Sequence, residues 1–169
     1  MTTSLRRRFF PVLICLLPSL AVTACSDPTQ GAGSRADTGS ETQRSLPLYP
    51  NETPALRQRI NFWADEHEVP RALVHRLAVR ESTHRPGAIN LPYYGLLQIH
   101  PATARSMGFQ GEPRELLDAD TNLEFSVKYL RGAWLLSDGS FDTAVKHYSR
   151  GYWHEAKRRG MLKETGLTE

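Results

Sequence analysis

Glu81 is the residue that its local pattern explains least well. Val74, Leu77, Ala78 and Glu81 follow one another at the i, i+3, i+4, i+7 spacing of one helix face, so a carboxylate continues an apolar stripe. Arg71, Arg76 and Arg80 fall on other faces of the same helix. Glu81 also stands near the helix C-terminus, where the backbone dipole disfavours negative charge. Partial burial and the dipole both favour the protonated form. A carboxyl that keeps its proton near neutral pH is what general-acid catalysis requires. The plainer alternative is a solvated helix-end glutamate paired with Arg80 or Arg85. Tyr148 closes a second apolar stripe, after Phe141, Ala144 and Val145. Taken alone it reads as a core-edge tyrosine with a wet hydroxyl.

The elements that must position these residues are helices. Thr53-Pro54 is an N-cap and N1 pair, and Leu56, Ile60 and Trp63 continue at helical spacing, which predicts a helix to about Glu68. Pro70 opens the helix that carries Glu81. Pro86, Gly87 and Pro92 mark a loop, and Pro101 starts a short helix that Gly108 ends. Asp120 or Thr121 is expected to cap a long helix with the stripe Leu123, Val127, Leu130 and Trp134, stopped by Asp138-Gly139. Ser140 caps the Tyr148 helix, and a polar helix follows from about Tyr152 to Arg159. Continuous β-type alternation is scarce. The expected fold class is therefore all-α, a single domain over 54–169 with one modest core.

The N-terminus reads as an address. The formal net charge of the 169 residues is +3, and residues 1–24 hold Arg6, Arg7 and Arg8 with no acid, so 25–169 is formally neutral. The apolar stretch from Phe9 to Val22 contains Pro11 and Pro18 and is too short and broken for a spanning helix. Residues 1–24 are expected to be a lipoprotein signal peptide. Val22-Thr23-Ala24-Cys25 resembles a bacterial lipobox, which implies acylation of Cys25 and anchoring to a membrane, expected to be the outer membrane on its periplasmic face. Residues 25–53 are rich in Ser, Thr, Gly, Asp, Gln and Pro and read as an acylated, disordered tether spanning about 30 Å as a coil. Cys15 and Cys25 are the only cysteines, which excludes a disulfide scaffold. No basic stripe with interleaved aromatics remains beyond the signal, so nucleic acid is not an expected partner.

Four motifs in order carry a family resemblance. Glu81-Ser82-Thr83-His84-Arg85-Pro86-Gly87-Ala88 resembles the Glu-Ser-x-Phe-x-Pro-x-Ala segment of soluble-lytic-transglycosylase-type domains, with His84 at the Phe position. Gly95-Leu96-Leu97-Gln98-Ile99 resembles their Gly-Leu-Met-Gln-Ile, and Pro101-Ala102-Thr103-Ala104 their Pro-x-Thr-Ala. Asn122-Leu123 and Tyr129-Leu130 fit the long helix, and Tyr148-Ser149-Arg150-Gly151 fits the closing Tyr-Asn-x-Gly, with Ser149 for Asn. The resemblance covers roughly 72–151. It implies a lysozyme-like helical domain with a glycan-binding groove, acting on peptidoglycan strands. Such enzymes cleave the β-1,4 bond between N-acetylmuramic acid and N-acetylglucosamine and leave a 1,6-anhydromuramoyl end.

Carried onto this sequence, the resemblance makes Glu81 the single catalytic acid and base. Ser82, Gln98, Tyr94 and Tyr148 become substrate-binding candidates, with Tyr148 also expected to hold the Glu81 carboxyl. Gln98 offers a donor and acceptors suited to an N-acetyl amide. Tyr93 and Tyr94 either form a stacking wall for sugar rings or cover the core. Gly95 is expected to let backbone approach the sugar or the Glu81 helix closely. A spatially close second carboxylate stays open, with Glu112, Asp118 and Asp120 as candidates. No cofactor or metal is expected, because no other ligand has zinc-like sequence spacing to His84. The chain is expected to be monomeric. Two further readings share these residues: a hydrolytic muramidase or chitinase of the same fold, and a catalytically silent glycan-binding lipoprotein.

Overall fold

The computed structural model describes residues 46–167. The signal sequence, Cys25 and most of the expected tether lie outside the described residues. The end of that tether does not behave as disordered chain. Arg57 is buried, and its guanidinium donates to the carbonyls of Leu46 and Pro47 and pairs with Glu52 at 2.6 Å. Tyr49 donates its N–H to Glu52 and stacks on two histidines of the domain. The packed chain therefore begins before Thr53, because a buried arginine requires acceptors and residues 46–52 supply them.

Six α-helices follow among the described residues: α1 (Pro54–Glu66), α2 (Arg71–Ser82), α3 (Pro101–Ser106), α4 (Ala119–Leu135), α5 (Phe141–Arg150) and α6 (Trp153–Arg159). A 3-10 helix spans Pro113–Leu117. Thr53 caps α1 by accepting from the N–H of Leu56, and Ser140 caps α5 by accepting from that of Thr143. The cap of α4 is Asp118, whose carboxylate accepts from the N–H and hydroxyl of Thr121, rather than Asp120 or Thr121. Asp120 is instead drawn to Arg59 and Trp63 of α1.

Helix α4 is the axis of the domain. It packs against α1, α3, α5 and the 3-10 helix, and its Leu123, Val127, Leu130 and Ala133 are fully buried. Leu56 and Ile60 of α1, Val74, Leu77 and Ala78 of α2, and Ala144, Val145 and Tyr148 of α5 join the same core. A smaller cluster forms around Ile99, Ala104, Phe109 and Leu116. Between α2 and α3 the chain makes a short hairpin, β1 (Ile89–Asn90) and β2 (Tyr93–Tyr94), pairing Ile89 with Tyr94 and Asn90 with Tyr93. The architecture is all-α apart from this hairpin. No helix among the described residues is long and apolar enough to cross a membrane.

Candidate active site

Helix α2 ends at Ser82, one residue past Glu81. Ser82 is buried, donates its hydroxyl to the Ala78 carbonyl at 3.4 Å and accepts from the N–H of Arg85 at 3.1 Å. Thr83 and His84 then adopt positive φ of 53° and 57°, turning the chain away from the helix axis. Glu81 is thereby held in the last turn, beside a groove of about 540 Å³. The groove is also lined by Asn90, Tyr93, His100, Tyr129, Tyr148 and Arg150, and Glu81 is its one acidic residue among the described residues. The Glu81 side chain is 21% exposed. Desolvation raises its pKa, and the charge of Arg80 opposes that shift. Arg80 Nε lies 3.5 Å from the carboxylate on a half-exposed side chain, so solvent screens its pull and burial prevails.

The floor of the groove is the loop 95–99, and its shape depends on α4. Gly95 has φ of 78°, and a Cβ there would lie 2.1 Å from the Leu116 carbonyl oxygen and 2.2 Å from Asn122 Nδ2. Only glycine permits both the backbone conformation and that approach. Asn122, fully buried on α4, donates to the carbonyls of Tyr94 and Leu116 and accepts from the N–H of Leu97, each at 2.9 Å. One amide thus ties the hairpin, the loop and the 3-10 helix to the central helix. From the other side Tyr148 donates its hydroxyl to the Leu97 carbonyl at 2.9 Å. Gln98 sits at φ of 48° and donates its amide NH₂ to the carbonyls of Gly95 and Ala88 at 2.8 and 3.1 Å.

The structure brings together Glu81, Gln98 and Tyr148 of the expected site residues, with altered roles for two of them. Gln98 lines the groove, but its donors close the loop and only its amide oxygen remains for a ligand. Tyr148 lies close enough to feel the Glu81 charge, yet its hydroxyl holds Leu97 rather than the carboxyl; burial pushes its pKa up. Ser82 is outside the groove lining, because its hydroxyl completes the helix end. Tyr94 is also displaced. Side chains alternate along a strand, so Tyr93 and Asn90 line the groove while Tyr94 packs on the Ile99 cluster. Gly95 meets Asn122 and Leu116 instead of the α2 helix or the open groove.

The open question of a second carboxylate is answered by geometry. Glu112 belongs to the capping box of the 3-10 helix, Asp118 caps α4, and Asp120 pairs with Arg59. None lines the groove. Asn90 and His100 were not singled out by the sequence; Asn122 and Tyr129 entered only as motif residues of the long helix, with no role at the site. Asn122 had a readable signal, an amide between Ala119 and Leu123 near the start of an apolar helix; Asn90 and His100 lie on surfaces where the sequence carries no periodic cue.

The model of the Transglycosylase SLT domain family matches residues 58–164. This chain belongs to that family. Comparison with curated proteins and with solved structures finds no match. Membership supports a glycan-cleaving activity of the transglycosylase or lysozyme-like kind, with peptidoglycan as the implied substrate, and the all-α architecture is that of a lysozyme-like SLT domain.

Against the SLT resemblance, His84 stands where an aromatic ring is expected, and the structure shows what surrounds it. Its ring is buried and stacks on Tyr49 with centroids 4.9 Å apart, and its Nε2 lies 3.2 Å from Nδ1 of His75. Glu52 Oε1 is 3.5 Å from the same His75 nitrogen. Sequence spacing therefore missed two potential ligand partners of His84, whose donor atoms all lie within 4.8 Å of one another. Their chemistry favours a hydrogen-bonded core over a cation. Glu52 is already committed to Arg57 and to the Tyr49 N–H, and the adjacent guanidinium would repel an ion. Burial lowers the pKa of both histidines, that of His75 to about 4, so both rings are neutral at pH 7.

Proposed function

We propose that this chain is a lytic transglycosylase that cuts the bond between N-acetylmuramic acid and N-acetylglucosamine in peptidoglycan. Glu81 acts as general acid and then general base. The observation that carries this reading is that Glu81 is the one carboxylate lining the groove among the described residues, partly desolvated and with a raised pKa. Glycosidases that activate water or form a glycosyl-enzyme need two carboxylates at set separations. One carboxyl suffices when the substrate supplies the nucleophile.

In the proposed reaction the protonated Glu81 carboxyl donates its proton to the glycosidic oxygen as the bond from the muramoyl C1 to that oxygen breaks. The developing positive charge is shared with the N-acetyl carbonyl oxygen of the same sugar. The carboxylate left on Glu81 then takes the proton of the muramoyl 6-hydroxyl, whose oxygen attacks C1. The products are a free N-acetylglucosamine 4-hydroxyl and a 1,6-anhydromuramoyl end, no water is consumed, and Glu81 regains its proton. Tyr148 and Gln98 serve this chemistry by fixing the loop 95–99 opposite Glu81.

The test is digestion of purified sacculi by the wild type and Glu81→Gln. The variant is expected to bind glycan and to release no soluble fragments, and mass spectrometry of wild-type products is expected to show ends lighter by one water than reducing ends. Wild-type turnover by Glu81→Gln would remove Glu81 from its role. Hydrated reducing ends would replace the reading with a hydrolytic muramidase, and no release at any pH would leave a glycan-binding lipoprotein. The proposal also includes a membrane tether through acylated Cys25, resting on the sequence pattern of residues 6–25. Labelled fatty acid is expected to attach to the wild-type protein and not to Cys25→Ala.

A further inference from the structure

Thr83 and His84 make a strained turn directly behind Glu81. Both hold positive φ, 53° and 57°, without being glycine, and Thr83 is β-branched, a residue type that rarely enters the left-handed region. Two such residues in succession persist only where the surrounding structure fixes them. Their own helix supplies a 3.2 Å bond from the Thr83 N–H to the Val79 carbonyl and a 3.3 Å bond from the His84 N–H to the Ala78 carbonyl. Further contacts come from residues 46–52, the stretch expected to be tether. Asn51 donates its amide to the Thr83 carbonyl at 3.0 Å, from 32 residues away in sequence. The Tyr49 ring lies on the His84 ring, 12° from parallel, and also stacks on His75. Glu52 reaches the same His75 and is itself held by buried Arg57. Asn51 has φ of 62°, a conformation asparagine tolerates.

Residues 46–52 therefore grip α2 at His75 and again at its C-terminal turn, on either side of Glu81 in the sequence. At 3.6 residues per turn, His75 and Glu81 lie about 120° apart around the helix axis. Tyr49, Asn51 and Glu52 are not among the residues lining the groove, so the grip comes from outside it. We propose that residues 46–52 form a strap that positions Glu81 from behind: Asn51 and Tyr49 fix the Thr83–His84 turn, and that turn fixes where α2 ends and where its last carboxylate points. This inference rests on the reading of Glu81 as the acid of the groove. Proton transfer needs the carboxyl within hydrogen-bond reach of the glycosidic oxygen, and a misplacement of about 1 Å costs up to about a hundredfold in rate. Tyr49 and Asn51 are positioning residues, acting through the turn and touching no substrate. With the strap undone, the last turn of α2 relaxes and the Glu81 carboxyl regains water, which lowers its pKa.

The experiment uses the full chain with Asn51→Asp, Tyr49→Ala and Tyr49→Phe. Asn51→Asp keeps the size of the side chain and its tolerance of positive φ but sets a carboxylate against the Thr83 carbonyl. Two quantities are read: kcat and KM on soluble glycan strands, and the titration of the Glu81 carboxyl by carbon-13 NMR, with Glu81→Gln assigning the signal. Arg80 and Tyr148, the groups electrostatically coupled to Glu81, and the groove's Tyr93, His100, Tyr129 and Arg150 are the same in every variant. In Asn51→Asp and Tyr49→Ala, kcat is expected to fall about tenfold with KM within about twofold of the wild type. The Glu81 carboxyl is expected to titrate at lower pH in both, although the added charge of Asn51→Asp would by itself move it the other way. Tyr49→Phe keeps the stacked ring and is expected to restore both readouts. Wild-type kcat in both variants, or an unmoved titration in both, overturns the inference. So does a loss confined to KM, or one that matches the fraction unfolded by circular dichroism with the titration unmoved. If the wild type cleaves nothing, or Glu81→Gln cleaves as well as the wild type, the catalytic reading fails on its own. The titration still decides the strap in that case: a lowered one supports it and an unmoved one overturns it.

Discussion

Replacing Asn122 by alanine should damage both the stability of the domain and its groove. The side chain is fully buried and serves three main-chain groups that no other side chain reaches: the Leu97 N–H and the carbonyls of Tyr94 and Leu116. Leaving a buried main-chain group without its partner costs about 1–2 kcal/mol; the Tyr94 carbonyl keeps the Ile99 N–H at 3.1 Å, so the Leu97 N–H and the Leu116 carbonyl set a loss of about 2–4 kcal/mol. That is a large part of the 5–15 kcal/mol typical of a folded domain (most of the margin at the low end). Asn122→Asp separates packing from hydrogen bonding. It keeps the acceptor for Leu97 but turns the donor into an oxygen facing two carbonyl oxygens. Its carboxyl pKa must therefore be raised in the folded state, because only the protonated form can donate. A raised pKa means the native contribution is present below the unfolded value of about 3.9 and is lost as pH rises through the folded one. Urea unfolding followed by circular dichroism at pH 4 and pH 7 measures both effects. Asn122→Ala within about 1 kcal/mol of the wild type would refute the reasoning, as would a deficit of Asn122→Asp no larger at pH 7 than at pH 4.

Arg80→Gln removes the charge that opposes the raised pKa of Glu81, so the alkaline limb of kcat/KM should move to higher pH; an unchanged or lowered limb would count against it. The same raised pKa implies stability that fades as pH rises, so the urea midpoint of Glu81→Gln should gain on the wild type between pH 4 and pH 8. The depressed pKa of His84 carries the opposite sign, with stability present above about 6.5 and lost as pH falls. His84→Phe should accordingly lose less stability than the wild type between pH 7 and pH 5, with Glu52, Arg57 and His75 still in place around it. Gly132→Ala would set a Cβ 2.3 Å from the Tyr152 hydroxyl oxygen and 2.7 Å from the Thr165 carbonyl oxygen. A loss of about 1–3 kcal/mol in thermal or urea unfolding is expected.

Helix periods, caps and breakers were legible in the chain because each depends on residues within a turn or two of one another. Thr53, Ser140, Pro70 and Pro101 mark the helix starts, and the stripes around Leu56, Val74, Leu123 and Val145 are the faces that became the core. Glu81 was legible for the same reason, as a carboxylate continuing such a stripe. The misplacements share a cause too. Asp120 was a sound cap by local rule, but Arg59 and Trp63 on another helix claimed it. Tyr93 and Tyr94 are neighbours in the chain, and only the pleat of a two-residue strand decides which meets the groove. Residues 46–52 looked like tether until a buried Arg57 supplied their partner.

By itself, then, the sequence determined which faces are apolar, which residue stands wrongly on one of them, and which ordered motifs mark the SLT family. The tertiary structure alone decided that, among the described residues, no second carboxylate lines the groove beside Glu81, and that Asn122 holds the floor of that groove. Local periodicity states that a face is buried without stating what buries it. Partners such as Leu97 and Asn122, 25 residues apart, meet only when the loops between them close.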